Sequence, residues 1–378
     1  MITEFSLKNF KCFSGKQVFT FSKMNLLTGY NGRGKSSVFQ ALLMLSQSIG
    51  RYNDIKKLCI NGDFVKLDLY EDIVNSSNLP VEFSLHTDSE VLNELTLGYK
   101  KDKENNRSAT LCELIMNGNN SSADTRAYIN ASVPDETVVK DFRYSNDDLT
   151  AIKSILSNFY YISADRLGPT KYEEKSELEF LNPIGENGQF RLNVLYKNKG
   201  LLETVAKDLQ WIMDFSDDVK ITGLENNFPV LGLTFVNATR SVKSINTGFG
   251  YSYILSILLL LHYVDKGIIF IENPEAHLHP LAQSRLMQLV CKTAMEQKNL
   301  QIFIETHSEH IINAVRLCSV LDECPITNTD ASIYFFDKDF SVKSLEINKK
   351  GQIPHWPAGF FDQQSIDLAK IIKLGIGR

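Results

Sequence analysis

The chain has 378 residues, enough at about 150 residues per domain for two to three units with a substantial core. Hydrophobic residues make up 43% and charged residues 22%, ordinary values for a soluble globular protein that exclude a peptide-like or disulfide-stapled scaffold. Lysine and arginine total 40 against 45 acids, a net charge of −5, which removes global basicity as an argument for nucleic acid but leaves a local basic groove open.

The six cysteines, Cys12, Cys59, Cys112, Cys291, Cys318 and Cys324, lie far apart with no CxxC pair. Neither a disulfide framework nor a zinc ribbon is suggested, and a reducing cytoplasm fits. The N-terminus has no apolar core behind a basic flank, and the longest apolar run, residues 253–261, falls short of the ~20 residues that span a bilayer. A cytoplasmic protein without membrane contact is expected.

In chain order, residues 2–7 alternate as a strand, 10–13 and 17–21 read as further short strands, and 24–28 as another that runs into GYNGRGKSS. Residues 36–48 carry apolar side chains at helical spacing. From about 60 to 148 the pattern is strands and polar loops, with KKDKENNRS and NGNNSSAD read as exposed loops. A strand ending in a turn follows at 160–169, a loop at 182–189, and a helix with one buried stripe at 198–217. The C-terminal half alternates: a buried helix at 253–263, the strand GIIFIENP, a helix at 281–295, the strand LQIFIETHS and a helix from Glu309. Such alternation argues for a parallel sheet covered on both faces. Strand-like SIYFF and VKSLEI and a short terminal helix complete the chain.

Four motifs carry the chemistry. GYNGRGKS, residues 29–36, satisfies GxxxxGK[ST] between a strand and a helix. Its glycines let backbone N–H groups close around phosphate oxygens at a helix N-terminus, Lys35 reaches the β- and γ-phosphates, and Ser36 ligates Mg²⁺. The binding set is Asn31, Gly32, Arg33, Gly34, Lys35, Ser36 and Ser37. Second, IIFIENPEAHLHP presents Glu272 at the carboxyl edge of a buried strand, towards the Mg²⁺ shell. Third, THS places His307 at the end of another core strand to sense the γ-phosphate or the attacking water. Fourth, NTGFGYSY puts two glycines ahead of the buried helix, 24 residues before Glu272.

In this order the motifs resemble the ABC-type ATPase head of the RecF, SMC and OLD (overcoming lysogenization defect) proteins, with residues 29–36 matching Walker A, 247–251 the signature, 272–275 Walker B and its neighbours, and His307 the switch histidine. PEAHLHP and THSEHIINAVR resemble most the OLD-like branch of AAA-labelled ATPases from prokaryotic phage-defence operons, and GQIPHWPAGFFDQ resembles the ending of a subset whose C-terminal domain has no assigned function. The resemblance implies a head-to-head dimer holding two ATP molecules, in which the signature of one copy, Thr247, Gly248 and Gly250, caps the γ-phosphate held by the Walker A of the other. Three departures stand out. Asn273 follows Glu272 where most such heads have the catalytic Glu, so either Glu275 takes over or hydrolysis is slow. OLD nucleases carry a Toprim domain after the ATPase, and the 71 residues after His307 hold no such acid cluster. No long heptad tract separates Walker A from the signature, against an SMC-type arm.

The fold expected is α/β: an ABC-ATPase-like head with a mixed or antiparallel N-terminal β lobe, a parallel P-loop core sheet covered by helices, and a partly helical insertion. The divisions expected are 1–59 (N-terminal lobe with Walker A), 60–240 (β/loop region and helical insertion), 241–331 (signature, Walker B and switch His) and 332–378 (C-terminal tail). Catalysis is assigned to Glu275, His307 and Glu272, metal binding to Ser36 and Glu272, and the cofactors are ATP and Mg²⁺. The function expected is a dimeric ATPase that senses or regulates a separately encoded effector, a nuclease or toxin, in phage defence; the alternative is a RecF-like ATPase clamping DNA. Weaker positions stay open: Arg166 as a phosphate or cross-subunit contact or an ordinary surface salt bridge, His277 and His279 as a structural turn, Trp356, Phe360 and Phe361 as packing, and Gln47 as no nucleotide sensor.

Overall fold

A computed structural model of the protein describes residues 1–117, 127–128, 144–174, 182–215, 218–223, 230–236, 241–324, 326–327 and 329–375. The chain opens with β1 (Ile2–Lys8), β2 (Gln17–Thr20), β3 (Met24–Gly29) and α1 (Lys35–Tyr52). It continues through β4 (Lys57–Cys59), the single turn α2 (Tyr70–Ile73), β5 (Val81–Thr87), β6 (Glu94–Lys101), β7 (Ser108–Asn117) and β8 (Ala127–Tyr128). Then come α3 (Asn146–Leu156), β9 (Phe159–Ile162), β10 (Glu173–Glu174), α4 (Arg191–Lys197), α5 (Lys199–Met213), β11 (Asp218–Gly223), β12 (Val230–Val236) and β13 (Ser241–Lys243). The last third is α6 (Phe249–Tyr263), β14 (Gly267–Glu272), α7 (Pro280–Glu296), β15 (Leu300–Glu305), α8 (Glu309–Cys318), β16 (Ala331–Phe336), β17 (Val342–Leu345) and α9 (Gln363–Gly375).

Three sheets form. The core sheet has the order β17-β16-β3-β15-β14-β9, parallel throughout except for the antiparallel edge strand β17. An antiparallel sheet runs β2-β1-β5-β6-β7-β4 with β8 on β7, and a small one runs β10-β12-β11 with β13 on β12. Strands β5 to β7 lie in the 60–240 segment yet extend the sheet begun by β1 and β2, β9 is an edge strand of the core sheet, and β16 and β17 of the tail are its other flank.

The two faces of the core sheet can be read residue by residue, because side chains of successive strand positions point to opposite sides. Met24, Leu26, Ile269, Ile271, Ile302 and Ile304 join one buried cluster with the apolar side chains of α4 to α8. Leu27, Ile268, Phe270 and Phe303 join a second cluster with α1 and the antiparallel sheet. Burial on both sides is what makes these strands continuous apolar runs, as parallel sheets require. α6, with Ile254, Leu258 and Leu259 all fully buried, is apolar over most of its surface, and that is why it sits inside rather than on the surface of the protein.

Most expected elements are found, with shifted ends. Residues 10–13 are not a strand but a tight turn, closed by Phe10 N to Phe13 O (3.0 Å) and Phe13 N to Phe10 O (2.9 Å). Left-handed backbone at Asn9 and Lys11 (φ 54° and 51°) breaks the extended run while the Phe10 and Phe13 rings still reach the core. The first helix continues to Tyr52, where Asn53 stops it in the left-handed region (φ 55°) with its N–H on Ile49 O. KKDKENNRS is a hairpin tip between β6 and β7, pinned by the buried Asp102, which accepts from Ser108 Oγ at 3.2 Å and pairs with Lys57 at 3.3 Å. Most of NGNNSSAD, residues 118–124, lies outside the described residues. Among the described residues no helix is long and apolar enough to cross a membrane.

Candidate nucleotide site

Parallel strands end on the same side, so β3, β14, β15 and β9 deliver the P-loop, Glu272, Glu305 and the 163–167 loop to one carboxyl edge of the sheet. Gly29 (φ 123°) lies against the β16 backbone, where a Cβ would overlap Phe336 O, and Gly34 (φ 101°) turns the chain into α1 with Cys12 and Phe13 packed where a side chain would stand. The first turn of α1 carries no acid, so the positive end of its dipole faces the loop uncompensated by a side-chain charge of its own. Lys35 is buried and donates to Gly29 O (3.1 Å) and Tyr30 O (2.8 Å). Burial pushes its ammonium below the ordinary lysine value, an effect opposed by the charge of Glu305.

Ser36 Oγ donates to Glu305 Oε1 at 3.0 Å, whereas the sequence pointed to Glu272 as the acid beside Ser36. The sheet order explains it: β15 is the neighbour of β3, and β14 stands one strand further out. Glu272 and Glu305 are register partners at the ends of β14 and β15. Glu272 Oε2 accepts from Ala164 N (3.2 Å) and its carboxyl also meets the Tyr161 hydroxyl. Glu275 accepts from Thr306 Oγ1 (2.8 Å) and His307 N (2.6 Å), tying the Walker B turn to the end of β15. Burial raises all three carboxyls above the usual glutamate value; Glu305 reaches about 7, driven first by burial and then by repulsion from Glu272, with Ser36 and Lys35 opposing.

The three acids repel one another, and a cation bound between Glu305 and Glu272 would relieve that repulsion. Glu305 Oε2 is buried with no partner among the described residues, and Ser36 and Glu272 supply further oxygen atoms close by. Among the described residues no three acids, histidines or cysteines form a complete cage. That suits Mg²⁺, which takes one or two carboxylates and completes its octahedron with water and phosphate oxygens. Ser36, Glu305 and Glu272 fit as its protein ligands, and when bound it would neutralise charge on the phosphates.

Asn273 has a backbone reason to be an amide. It sits at φ 43°, a left-handed conformation Asn tolerates well, and its N–H donates to Glu305 O at 2.8 Å. The turn then carries Glu275 back over β15. Arg166 is not at the surface: it is 3% exposed, donates to Glu272 O and to Asn273 O (3.2 Å), and stands over the Tyr253 ring of α6 at 5.6 Å. Its Nε and Nη1 are buried without partners among the described residues, and burial lowers it to about 10 against the pull of Glu275 and Glu272.

His307 is exposed beside the P-loop, with desolvation and the Lys35 charge both pushing its imidazole below the ordinary value. Thr247 and Gly248 lead into the N-terminus of α6, where Gly248 is exposed with open space around it, whereas Gly250, expected to touch the nucleotide, is buried against His277 O. His277 packs tilted on Phe249 (5.2 Å) and edge-on to Tyr253 (4.8 Å), and His279 caps α7, its Nδ1 accepting from Leu281 N (3.3 Å); both serve turns. Gln47 is buried and bonded to Cys59 O, Val65 O and the N–H groups of Phe64 and Val65, a structural role. Sequence reasoning missed Glu305 and Tyr161. The signal for Glu305 was present, since both core strands end in the same IFIE phrase.

A glycine loop opening a helix, with acids at the ends of parallel strands beside it, defines a P-loop ATPase. The chain belongs to the AAA ATPase domain family, which matches residues 1–312. Residues 326–371 match a family described as a protein of unknown function (DUF3696). An ATP/GTP phosphatase of Helicobacter pylori (strain ATCC 700392 / 26695) is 21% identical over 333 residues, 82% of this chain and 86% of the relative. Among solved structures, an SMC head bound to the C-winged helix domain of ScpA has the same fold, with TM-score 0.51 and 14% identity over 92% of this chain and 98% of that one. The SMC head domain from Thermotoga maritima is similar with TM-score 0.45 and 13% identity, over 92% and 99% of the two chains. The protein is an ATP-binding ATPase with an α/β head of the ABC/AAA-like kind.

Proposed function

We propose that two copies of the chain close head-to-head around two ATP molecules. One observation carries this reading: α1 belongs to the core on one face of the central sheet and α6 to the core on the other. α6 leads into β14, so its N-terminus, with Thr247, Gly248 and Gly250, lies near the same carboxyl edge as the P-loop but across the sheet from it. A second copy turned by a two-fold axis would bring its exposed Gly248 to the open phosphate site. In each site residues 31–37 hold the phosphates, Ser36, Glu305 and Glu272 hold Mg²⁺, and Glu275 accepts a proton from water. The two hydrogen bonds Glu275 receives leave lone pairs free on both oxygens. His307 contacts the γ-phosphate, and Arg166 links Glu272 to the signature helix through Tyr253. Because only the triphosphate makes contacts across the interface, it alone biases the open–closed equilibrium.

The closed dimer then regulates a separately encoded effector, a nuclease or toxin, in a prokaryotic phage-defence system. This is supported by the OLD-like wording of residues 274–280 and 306–316 and by α9, none of whose residues is buried and which exposes Ile366, Leu368, Ile371, Ile372 and Leu374. The SMC head of the same fold is likewise bound to a separate protein, the C-winged helix domain of ScpA. The test is a pull-down of the tagged protein from its native host with ATP, wild type against Lys35→Ala. A stoichiometric nuclease or toxin lost with Lys35→Ala supports the regulator; DNA alone, retained only at low salt, replaces it with a RecF-like clamp.

A further inference from the structure

We infer that the C-terminal segment 356–362 is a positioning element of the ATPase site, holding the start of the P-loop and His307 in register for hydrolysis; this rests on ATP binding at residues 29–37. A cavity of about 90 Å³ is lined jointly by Thr28, Gly29, Tyr30 and His307 and by Phe335, Gly359, Phe360 and Phe361. Gly359 (φ 82°) seats against the Tyr30 ring so closely that a Cβ would overlap the Tyr30 hydroxyl. Phe360 is buried between Phe335 (5.3 Å) and Trp356 (4.5 Å), and the Phe361 ring packs on it at a tilt, 4.8 Å away.

The segment is braced from behind. Trp356 Nε1 donates to Phe360 O, Gly359 N donates to Asp362 Oδ2 at 2.8 Å, and Arg316 covers the Trp356 ring at 5.5 Å while donating to Gly351 O at 2.8 Å. Arg316 belongs to α8, whose N-cap Ser308 directly follows His307. The segment thus touches both the residue that opens the P-loop and the helix that follows the switch histidine.

Lys35 gives the contact a reason to respond to nucleotide. Its ammonium now donates to Gly29 O and Tyr30 O, and when it turns to phosphate oxygens those two carbonyls lose their partner. Residue 30 must readjust, and its ring rests on Gly359. The cavity of about 90 Å³ beside Tyr30 leaves room for that shift. Asp362 immediately precedes α9, so movement of the segment passes to that helix.

The experiment uses the full chain, with Gly359→Ala to press on Tyr30 and Phe361→Gly to remove the second ring while relaxing its left-handed backbone (φ 56°). ATP affinity, kcat, melting temperature and hydrogen exchange of residues 353–375 are measured with and without a slowly hydrolysed ATP analogue. The expected result is a kcat lowered by about tenfold in both variants with ATP affinity within about twofold, and wild-type exchange in 353–375 that changes on adding nucleotide. Unchanged kcat in a folded variant, or exchange indifferent to nucleotide in a wild type that binds ATP, overturns the inference. A wild type that binds no ATP instead overturns the ATPase reading beneath it.

Discussion

Replacing Glu305 with Gln should stabilise the protein above neutral pH, because Glu305 is a buried acid crowded by two other carboxyls. Burial and the neighbouring Glu272 and Glu275 hold the Glu305 carboxyl at about 7 instead of the ordinary 4.5. A folded-state pKa above the unfolded one means the native state binds more protons between those two values, so stability falls as pH rises from about 4.5 to about 7. At about 1.4 kcal/mol per pH unit the loss reaches about 3 kcal/mol above pH 7.5 and is about half a kcal/mol at pH 4.5. Glutamine keeps an oxygen for the Ser36 hydroxyl and has no charge to bury. Urea unfolding of the nucleotide-free protein should therefore find Glu305→Gln more stable than wild type by about 3 kcal/mol at pH 8.5 and nearly equal at pH 4.5, while Mg²⁺-dependent ATPase activity drops by about 100-fold. A stability difference of the same size at both pH values would refute the crowded-carboxylate account.

Other perturbations separate the roles at the site. Glu275→Gln should retain ATP binding while steady-state turnover falls by about 10²–10³-fold; unchanged turnover removes Glu275 from the mechanism. Arg166→Met leaves the Glu272 and Asn273 carbonyls and two acids without their cation, and should cost about 3 kcal/mol in urea unfolding as well as turnover. Arg166→Lys should recover much of that stability, because the charge stays, but not the two-carbonyl grip of the fork.

The core of the fold was legible because its strands are buried on both faces: residues 268–271 and 302–304 are apolar runs that each lead into an acid, and α6 is apolar over most of its surface. The P-loop was legible because phosphate binding needs glycine at positive φ, as at Gly34, immediately before a lysine and a hydroxyl. Glu305 was missed for a topological reason. Which strand lies beside β3 depends on sheet order, and chain order alone does not distinguish β15 from β14. Arg166 was ambiguous because its burial arises from loop 163–167 folding under β14, a long-range packing event with no local signature. Residues 10–13 looked like a strand because their aromatic rings enter the core, yet left-handed Asn9 and Lys11 bend the backbone there. The tail's approach to the P-loop joins residues more than 300 positions apart and leaves no periodic trace.

The head-to-head site is tested most directly by mixing two inactive variants, Lys35→Ala, which lacks the phosphate grip, and Gly248→Trp, which blocks the exposed signature. Each alone should hydrolyse no ATP above background. In an equal mixture half the dimers are mixed and each holds one intact composite site, so ATPase activity should return to about a quarter of wild type. Full activity of Gly248→Trp by itself, or a mixture no more active than its parts, would contradict a nucleotide site completed by a second copy.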